Sequence, residues 1–217
     1  MNDAEAALLR EVERYYSDRV RQFGATARGA DWNSTESQEL RFTQLARLWG
    51  GAGEQGEISL IDFGCGYGAL ADFLQAPPGR VRCRYQGFDI SDAMIQHASS
   101  RAAAGRTFST RADTRERAEF GGASGVFNVK LATGSEAWEA YMRRTIETMA
   151  SLATRGFAFN ALSSYCDAAK QRPDLYYADP REWFDHCKRV HSRFVTLLHD
   201  YPLYEFTVIV RTEGQNG

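Results

Sequence analysis

Residues 61–69 read Ile-Asp-Phe-Gly-Cys-Gly-Tyr-Gly-Ala, and they constrain the fold more than any other stretch of this 217-residue chain. An apolar run, ISLIDFG (58–64), leads straight into glycines at 64, 66 and 68, after which Leu70, Phe73 and Leu74 take up helical spacing. Glycine lets a chain turn sharply and bring its backbone against a ligand, because no Cβ stands in the way. A strand that runs into such a loop and opens a helix is the first half of a βαβ unit.

The alternation continues downstream. RYQGFDI (84–90) reads as a second strand and SDAMIQHASSRAAA (91–104) as a helix capped by Ser91. RTFST (106–110) and EFGGASGVF (119–127) supply a third and a fourth strand. A helix over 135–154 carries Trp138, Met142, Ile146, Met149 and Leu152 at core spacing, and GFAFNAL (156–162) is a fifth strand. Asp179-Pro180 with Glu182 opens a further helix carrying Trp183, Phe184, Cys187 and Val190. RFVTLLHDY and EFTVIVRTE flank Pro202-Leu203-Tyr204 as a hairpin. Strands alternating with helices predict an α/β fold, a parallel sheet with helices on both faces. The hairpin at the end predicts that the last strand runs antiparallel.

Ahead of this core the chain reads as helical. Leu8, Leu9, Val12, Tyr15, Tyr16 and Val20 share helical spacing until Gly24 and Gly29 interrupt it. A second helix is predicted to start at Asn33, with Glu36 completing a capping box, and to carry Leu40, Leu45 and Leu48 inward. GGAGEQGE (50–57) reads as a linker, so a helical lead-in over 1–50 precedes a core over 58–213 within one domain.

Composition removes several function classes. Lys plus Arg number 26 against 28 Asp plus Glu, a net charge of −2, and hydrophobic residues make up 43%. A chain of this size and balance buries roughly 70% of its unfolded surface, which excludes general disorder. No apolar run approaches the ~18 residues of a membrane span. The opening MNDAEAALLREVERYY is charged throughout and lacks a signal-peptide apolar segment, so a cytoplasmic location is expected. Cys65, Cys83, Cys166 and Cys187 show no Cys-x-x-Cys spacing, and no zinc site, disulfide framework or other metal constellation is expected. Positive charge is nearly all arginine, with lysine only at 130, 170 and 188, and the near-neutral total gives no electrostatic case for nucleic acid.

Ligands of open α/β sheets bind beyond the carboxyl ends of the strands. Gly64, Gly66 and Ala69 fit the dinucleotide pattern G-x-G-x-x-A, so a nicotinamide enzyme is one reading. Two details point elsewhere. Asp62 precedes the glycines and makes D-x-G-x-G-x-G, and an acid there suits a ligand bearing an ammonium better than a pyrophosphate. The terminal hairpin also departs from a wholly parallel dinucleotide fold. Over residues 58–213 the chain resembles the class I S-adenosylmethionine (SAM)-dependent methyltransferases, with IDFGCGYGA as their first motif and YQGFDIS (85–91) as their second. DWNSTESQELRF (31–42), GASGVFN (122–128), GFAFNAL and LHDYPLYEFTVIVR (198–211) together resemble a group of small bacterial methyltransferases whose acceptors are not defined. The fold so implied is Rossmann-like: a mostly parallel seven-stranded sheet with a C-terminal antiparallel hairpin and an N-terminal helical lead-in.

The resemblance also implies roles. Asp62, Gly64, Cys65, Gly66 and Gly68 would cradle SAM, and Asp89 would accept hydrogen bonds from both ribose hydroxyls, with Ile90 beside it. Met94 would lie against the adenine, Asp113 would hold its amino group, and Arg41 would clasp the methionine carboxylate with its planar fork. Each has a plainer reading: a turn or cap acid for Asp89, a core methionine for Met94, a solvated loop for Asp113, a surface arginine for Arg41. The product would be S-adenosylhomocysteine (SAH), and no metal is implied.

Methyl transfer is an in-line displacement in which the protein contributes proximity, alignment and exclusion of water, sometimes with a general base. His199, near the end of the sixth strand, is the base candidate, its alternative being to pair with Asp200 and fix the hairpin. Asn128 and Asn160 fall at strand ends, facing an acceptor or satisfying buried backbone. Tyr176 and Tyr177 lie in a long loop, SSYCDAAKQRPDLYYAD (163–179), shaping an acceptor pocket or packing the loop down. Tyr15 and Tyr16 close the cofactor site from above or belong to a core stripe. The function expected is methylation of a small-molecule acceptor on oxygen or nitrogen (EC 2.1.1.-), a sugar or other biosynthetic intermediate. Asn-Pro-Pro-aromatic and Pro-Cys motifs of nucleic-acid methylation are absent from the sequence. The alternatives are a non-catalytic SAM- or SAH-binding partner protein and a nicotinamide-dependent oxidoreductase.

Overall fold

In the computed structural model, which describes residues 3–111 and 116–213, the glycine-loop strand β1 (Ile58–Phe63) is buried along its whole length inside a seven-stranded sheet. The other strands are β2 (Cys83–Phe88), β3 (Arg106–Ser109), β4 (Ala118–Ala123), β5 (Ala153–Leu162), β6 (Phe194–Leu198) and β7 (Glu205–Arg211). They lie in the order β3-β2-β1-β4-β5-β7-β6. The pairs from β3 through β5 are parallel, while β7 runs antiparallel to both β5 and β6, as the terminal hairpin requires. Strand order reverses between β1 and β4, which makes their carboxyl ends the switch point where such sheets bind ligands. The register levels these ends: Asp62 is opposite Gly87 on one side and Gly122 on the other.

The helices are α1 (Asp3–Phe23), α2 (Thr35–Ala46), α3 (Ala52–Gln55), α4 (Ala69–Phe73), α5 (Asp92–Ser100), α6 (Ser135–Leu152) and α7 (Pro180–Val190). Each face of the sheet has its own core. On one, Trp138, Met142, Ile146 and Met149 of α6 form a fully buried stripe against Phe157, Phe159, Phe206 and Val208. Burying each of those α6 side chains contributes on the order of 2 kcal/mol. The amino-terminal half of α1 joins this cluster through Leu8 and Val12. On the other face, α2 and α4 bring Phe42, Leu45, Leu70 and Phe73 against Leu60, Tyr85, Phe120 and Ile209.

Several boundaries differ from the sequence expectation for local reasons. Ser34, not Asn33, caps α2: its backbone is extended, its Oγ accepts from the Ser37 amide at 3.2 Å, and Ser37 Oγ accepts from the Ser34 amide. Glu36 therefore lies inside the first turn rather than closing the box. The helix expected to 154 stops at Leu152, because Ala153 is already extended and begins β5. The second strand ends at Phe88, which leaves Asp89 and Ile90 on the loop beyond it. The linker at 50–57 holds the short α3. Ser91 caps α5 as expected, accepting from the Met94 amide at 3.2 Å. Among the described residues no helix is long and apolar enough to cross a membrane.

Candidate active site

The carboxyl ends of β1, β2 and β4 open into a cavity of about 270 Å³. Its floor is the loop Gly64–Tyr67; the glycines at 64, 66 and 68 adopt φ of +69°, +55° and +88°, but Gly68 faces Phe108 and Ala98 and does not line the cavity. Side chains are strained at those angles, and at Gly64 a Cβ would also lie 2.4 Å from Val126 Cγ2. Gly66 is different, since the nearest atom to a Cβ there, Met94 Sδ, is 3.9 Å away. The space over Gly66 is open to a ligand.

Two acids face this floor. Asp62 is buried to 2% exposure and accepts a hydrogen bond from the Tyr85 hydroxyl. Burial pushes its carboxyl up to about 7 against that hydrogen bond, and the neighbouring Asp89 adds to the rise. Asp89 is half-buried and accepts from the amides of Gly66 and Ser91, each at 2.9 Å. Burial raises it to about 6, opposed by the same two amides. Cys65 and Met94 line the cavity as buried side chains, with burial pushing the Cys65 thiol well up. Ile90 also lines it while remaining 39% exposed, an apolar surface left without cover.

The roof comes from the lead-in. Leu9, Val12 and Tyr16 of α1 line the cavity, as does Trp32 from the turn before α2. A hydrogen-bond chain seats α1: Ser91 Oγ meets Ser17 Oγ at 2.7 Å, and Ser17 donates to Glu13 at 2.6 Å. Trp32 lies so close to Gly125 that a Cβ there would come within 2.4 Å of the indole.

The remaining expected site residues fall elsewhere. Asn160 is fully buried under the loop after β4; its Oδ1 accepts from the Gly125 amide at 2.9 Å and its Nδ2 donates to Ser124 at 3.2 Å. Asn128 Oδ1 accepts from the Leu162 amide at 3.2 Å. Both asparagines thus take the backbone-satisfying role, holding in place a loop whose Ser124, Gly125 and Val126 line the cavity. Tyr176 packs in the core and donates to Glu139 at 2.7 Å, and the Tyr177 hydroxyl accepts from the Arg172 amide at 3.0 Å; neither lines the cavity. Arg41 is buried, not a surface residue, and gives its fork to Glu205 through Nε and NH2, each at 2.6 Å, rather than to the cavity. His199 is exposed beyond the edge strand β6, its ring 5.7 Å from Tyr165 and 6.3 Å from Phe206, outside the cavity. Asp113 lies outside the described residues.

Tyr141 and Thr145 of α6 line the cavity and were not anticipated from the sequence. They sit three residues after Trp138 and Met142, one step round the helix from its buried stripe, so the helical pattern alone assigns them to its boundary.

A methyltransferase-domain family model matches residues 8–200 of the chain. The chain is 46% identical over 156 residues to "Putative methyltransferase Rv1506c" of Mycobacterium tuberculosis, covering 71% of this chain and 93% of that protein. Among solved structures it resembles magnesium protoporphyrin IX methyltransferase (ChlM) of Synechocystis PCC 6803 with bound SAH, with a TM-score of 0.67 and 17% identity over 93% of this chain and 98% of that one. The DhpI–SAH complex matches with a TM-score of 0.63 and 13% identity over 94% and 97%. A small RNA methyltransferase, HEN1, matches with a TM-score of 0.56 and 14% identity, over 82% of this chain and 25% of that one. The chain belongs to the methyltransferase-domain family, and its fold is that of the SAM- and SAH-bound methyltransferases it resembles.

Proposed function

We propose that this methyltransferase acts on a small-molecule acceptor, methylating oxygen or nitrogen (EC 2.1.1.-), with residues 1–50 serving as cover for cofactor and acceptor. One observation carries the reading: the space beside the glycine loop is a cavity of about 270 Å³ lined by Leu9, Val12 and Tyr16 of α1 and by Trp32, a size that suits a small molecule. The residues present fit SAM. Gly66 leaves room for a ligand against its backbone, Asp89 is oriented by two amides, and Ile90 and Met94 offer apolar surface for an adenine. Asp62 supplies negative charge toward an ammonium, and Asp113 remains the proposed partner of the adenine amino group. When bound, SAM brings a methyl group already activated on sulfonium, so the chain need not generate an electrophile. Its own residues bind and align: Asp89 holds the ribose, the loop 64–68 presses its backbone close, and Leu9, Val12 and Tyr16 shield the reacting end from water. His199 keeps its proposed role as proton acceptor only if the β6 end approaches an acceptor that reaches out of the cavity.

The test is methyl transfer from labelled SAM into cell extract, fractionated into metabolites, RNA and protein. Label in the metabolite fraction is expected. Label confined to RNA or protein refutes the small-molecule reading. SAH binding with no transfer to any fraction favours a non-catalytic SAM-binding partner instead.

A further inference from the structure

The cavity has two walls of different origin. The cradle residues Cys65 and Leu70 belong to the core cluster on the α2/α4 face, together with Phe42. The opposite wall belongs to the cluster on the α6 face: Leu9, Val12, Phe63, Phe88, Val126 and Tyr141. This second wall is not needed for the cofactor contacts assigned above, which use the glycine loop, Asp62, Asp89, Ile90 and Met94. It forms a lobe between α1 and α6, at the carboxyl ends of β1 and β2.

The chemistry of the lobe is uniform. Its polar groups are the hydroxyls of Tyr16, Tyr141 and Thr145, and no Lys, Arg or His is among the described residues lining the cavity. Burial pushes the Tyr141 hydroxyl up to about 12 and Tyr16 well above its ordinary value, so both stay neutral. The acids of the cavity, Asp62 and Asp89, sit at the cradle, and Asp89 is near enough that its negative charge adds to the rise of both Tyr16 and Tyr141. A carboxylate or phosphate placed in the lobe would lose its water and meet no cation, and burying an unpaired charge is strongly unfavourable. An apolar ring or chain carrying one neutral hydroxyl suits these walls, and it could donate to Thr145 Oγ1, whose own proton goes to the Tyr141 carbonyl at 3.0 Å.

Resting on the SAM-dependent reading above, we propose that the lobe between α1 and α6 is the acceptor site and that it selects a neutral, largely apolar hydroxyl compound over anionic ones. Leu9, Val12 and Phe63 contact its apolar body, and the hydroxyls of Tyr16, Tyr141 and Thr145 orient its polar group.

Calorimetry on the purified full chain tests this in two stages. SAH is titrated first; absence of binding overturns the cofactor reading and this proposal with it. The SAH-loaded protein is then titrated with 2-naphthol and with 2-naphthoate, probes alike in shape but opposite in charge state. Binding of 2-naphthol at least about tenfold tighter than 2-naphthoate is expected, a difference of about 1.4 kcal/mol. Thr145→Trp, which fills the lobe, should weaken 2-naphthol binding by about tenfold or more while SAH affinity stays within about threefold. If that variant folds poorly, Leu9→Trp fills the lobe from the facing helix and should weaken 2-naphthol binding by a similar factor. Equal or tighter binding of 2-naphthoate, no binding of 2-naphthol, or unchanged 2-naphthol binding in the filled variants overturns the assignment while leaving SAM binding intact.

Discussion

Asp89 ties two loops of the cavity together: one carboxylate oxygen takes the Gly66 amide and the other the Ser91 amide, each at 2.9 Å. The first amide belongs to the glycine loop, the second to the residue that caps α5. A carboxylate oxygen has a second lone pair, so each remains able to accept from a ribose hydroxyl without moving. The group is oriented before any ligand arrives.

Asp89→Ala should therefore weaken SAH binding by about 2–3 kcal/mol, the scale of hydrogen bonds to a charged group. Asp89→Asn keeps one acceptor oxygen and should lose less. Calorimetric titration of both folded variants reads this directly, and unaltered affinity in Asp89→Ala would remove the ribose role.

The glycine loop makes a paired prediction. Gly64→Ala places a methyl 2.4 Å from Val126 and should destabilise the fold, whereas Gly66→Ala meets nothing closer than 3.9 Å. Both carry strain from positive φ, about 1–2 kcal/mol. Gly66→Ala should consequently lower SAH affinity more than melting temperature, and Gly64→Ala should do the reverse. Thermal melts and titrations on the same preparations separate the two.

The raised carboxyls give a pH dependence with a definite sign. Asp62 titrates near 7 and Asp89 near 6, above the ordinary value of about 4. Between about pH 4 and 7 the native protein holds protons that the unfolded chain has released, so the stability of the ligand-free protein falls as pH rises through that window. Cofactor binding should run the opposite way. A ligand ammonium favours ionised Asp62, so SAH affinity should rise with pH up to about 7, and binding near pH 6.5 should expel protons. Titration in two buffers of different ionisation heat measures that release, and Asp62→Asn should reduce it sharply. Proton uptake, or no proton exchange, would contradict the role given to Asp62.

Arg41 and Glu205 are 7% and 1% exposed at their side chains and bond through both arms of the fork. Removing one partner leaves a buried charge uncompensated, so Arg41→Met or Glu205→Leu alone should cost about 3–5 kcal/mol. The double variant should recover much of the loss. Urea denaturation of the four proteins yields the coupling energy. If Arg41 serves only this pair, the double variant should also bind SAH normally; a large loss of affinity there would restore the methionine-carboxylate role.

His199→Asn should change stability by no more than about 0.5 kcal/mol, as at other exposed positions. Its ring lies past β6, with β7 and β5 between it and the strands that carry the cavity. Single-turnover transfer on an identified acceptor should then proceed at a near-normal rate. A fall of about 10²-fold or more would instead return the general-base role to it.

The architecture was readable because its signals are local. Strand-to-glycine transitions, the Ser91 cap and the hairpin at 202–204 each act within a few residues. The floor of the cavity was readable for the same reason, since the glycine loop and Asp89 belong to contiguous motifs. The roof and the acceptor lobe were not. Leu9, Val12 and Tyr16 share a spacing with ordinary core residues, and only the packing of α1 across the strand ends makes them cavity walls. Arg41 was placed on the right helix, but its partner is set by β7, which no local pattern connects to it. Asn160 lies near the expected strand end, whereas β4 stops at Ala123 and leaves Asn128 on the loop beyond; proximity in the fold gave both side chains backbone groups to satisfy.

The Arg41–Glu205 pair also orders events in the life of the chain. Its members are separated by 164 positions, so on a ribosome Arg41 emerges long before the residue that neutralises it. Until the last hairpin is made, α2 cannot bury its guanidinium beside Trp32, 4.2 Å from that ring, without leaving the charge unpaired. The part of the lead-in that carries Trp32 is therefore completed by β7, which begins with Glu205. Pairing across so long a separation delays a folding step, and the cavity gains its finished roof only once β7 has been made.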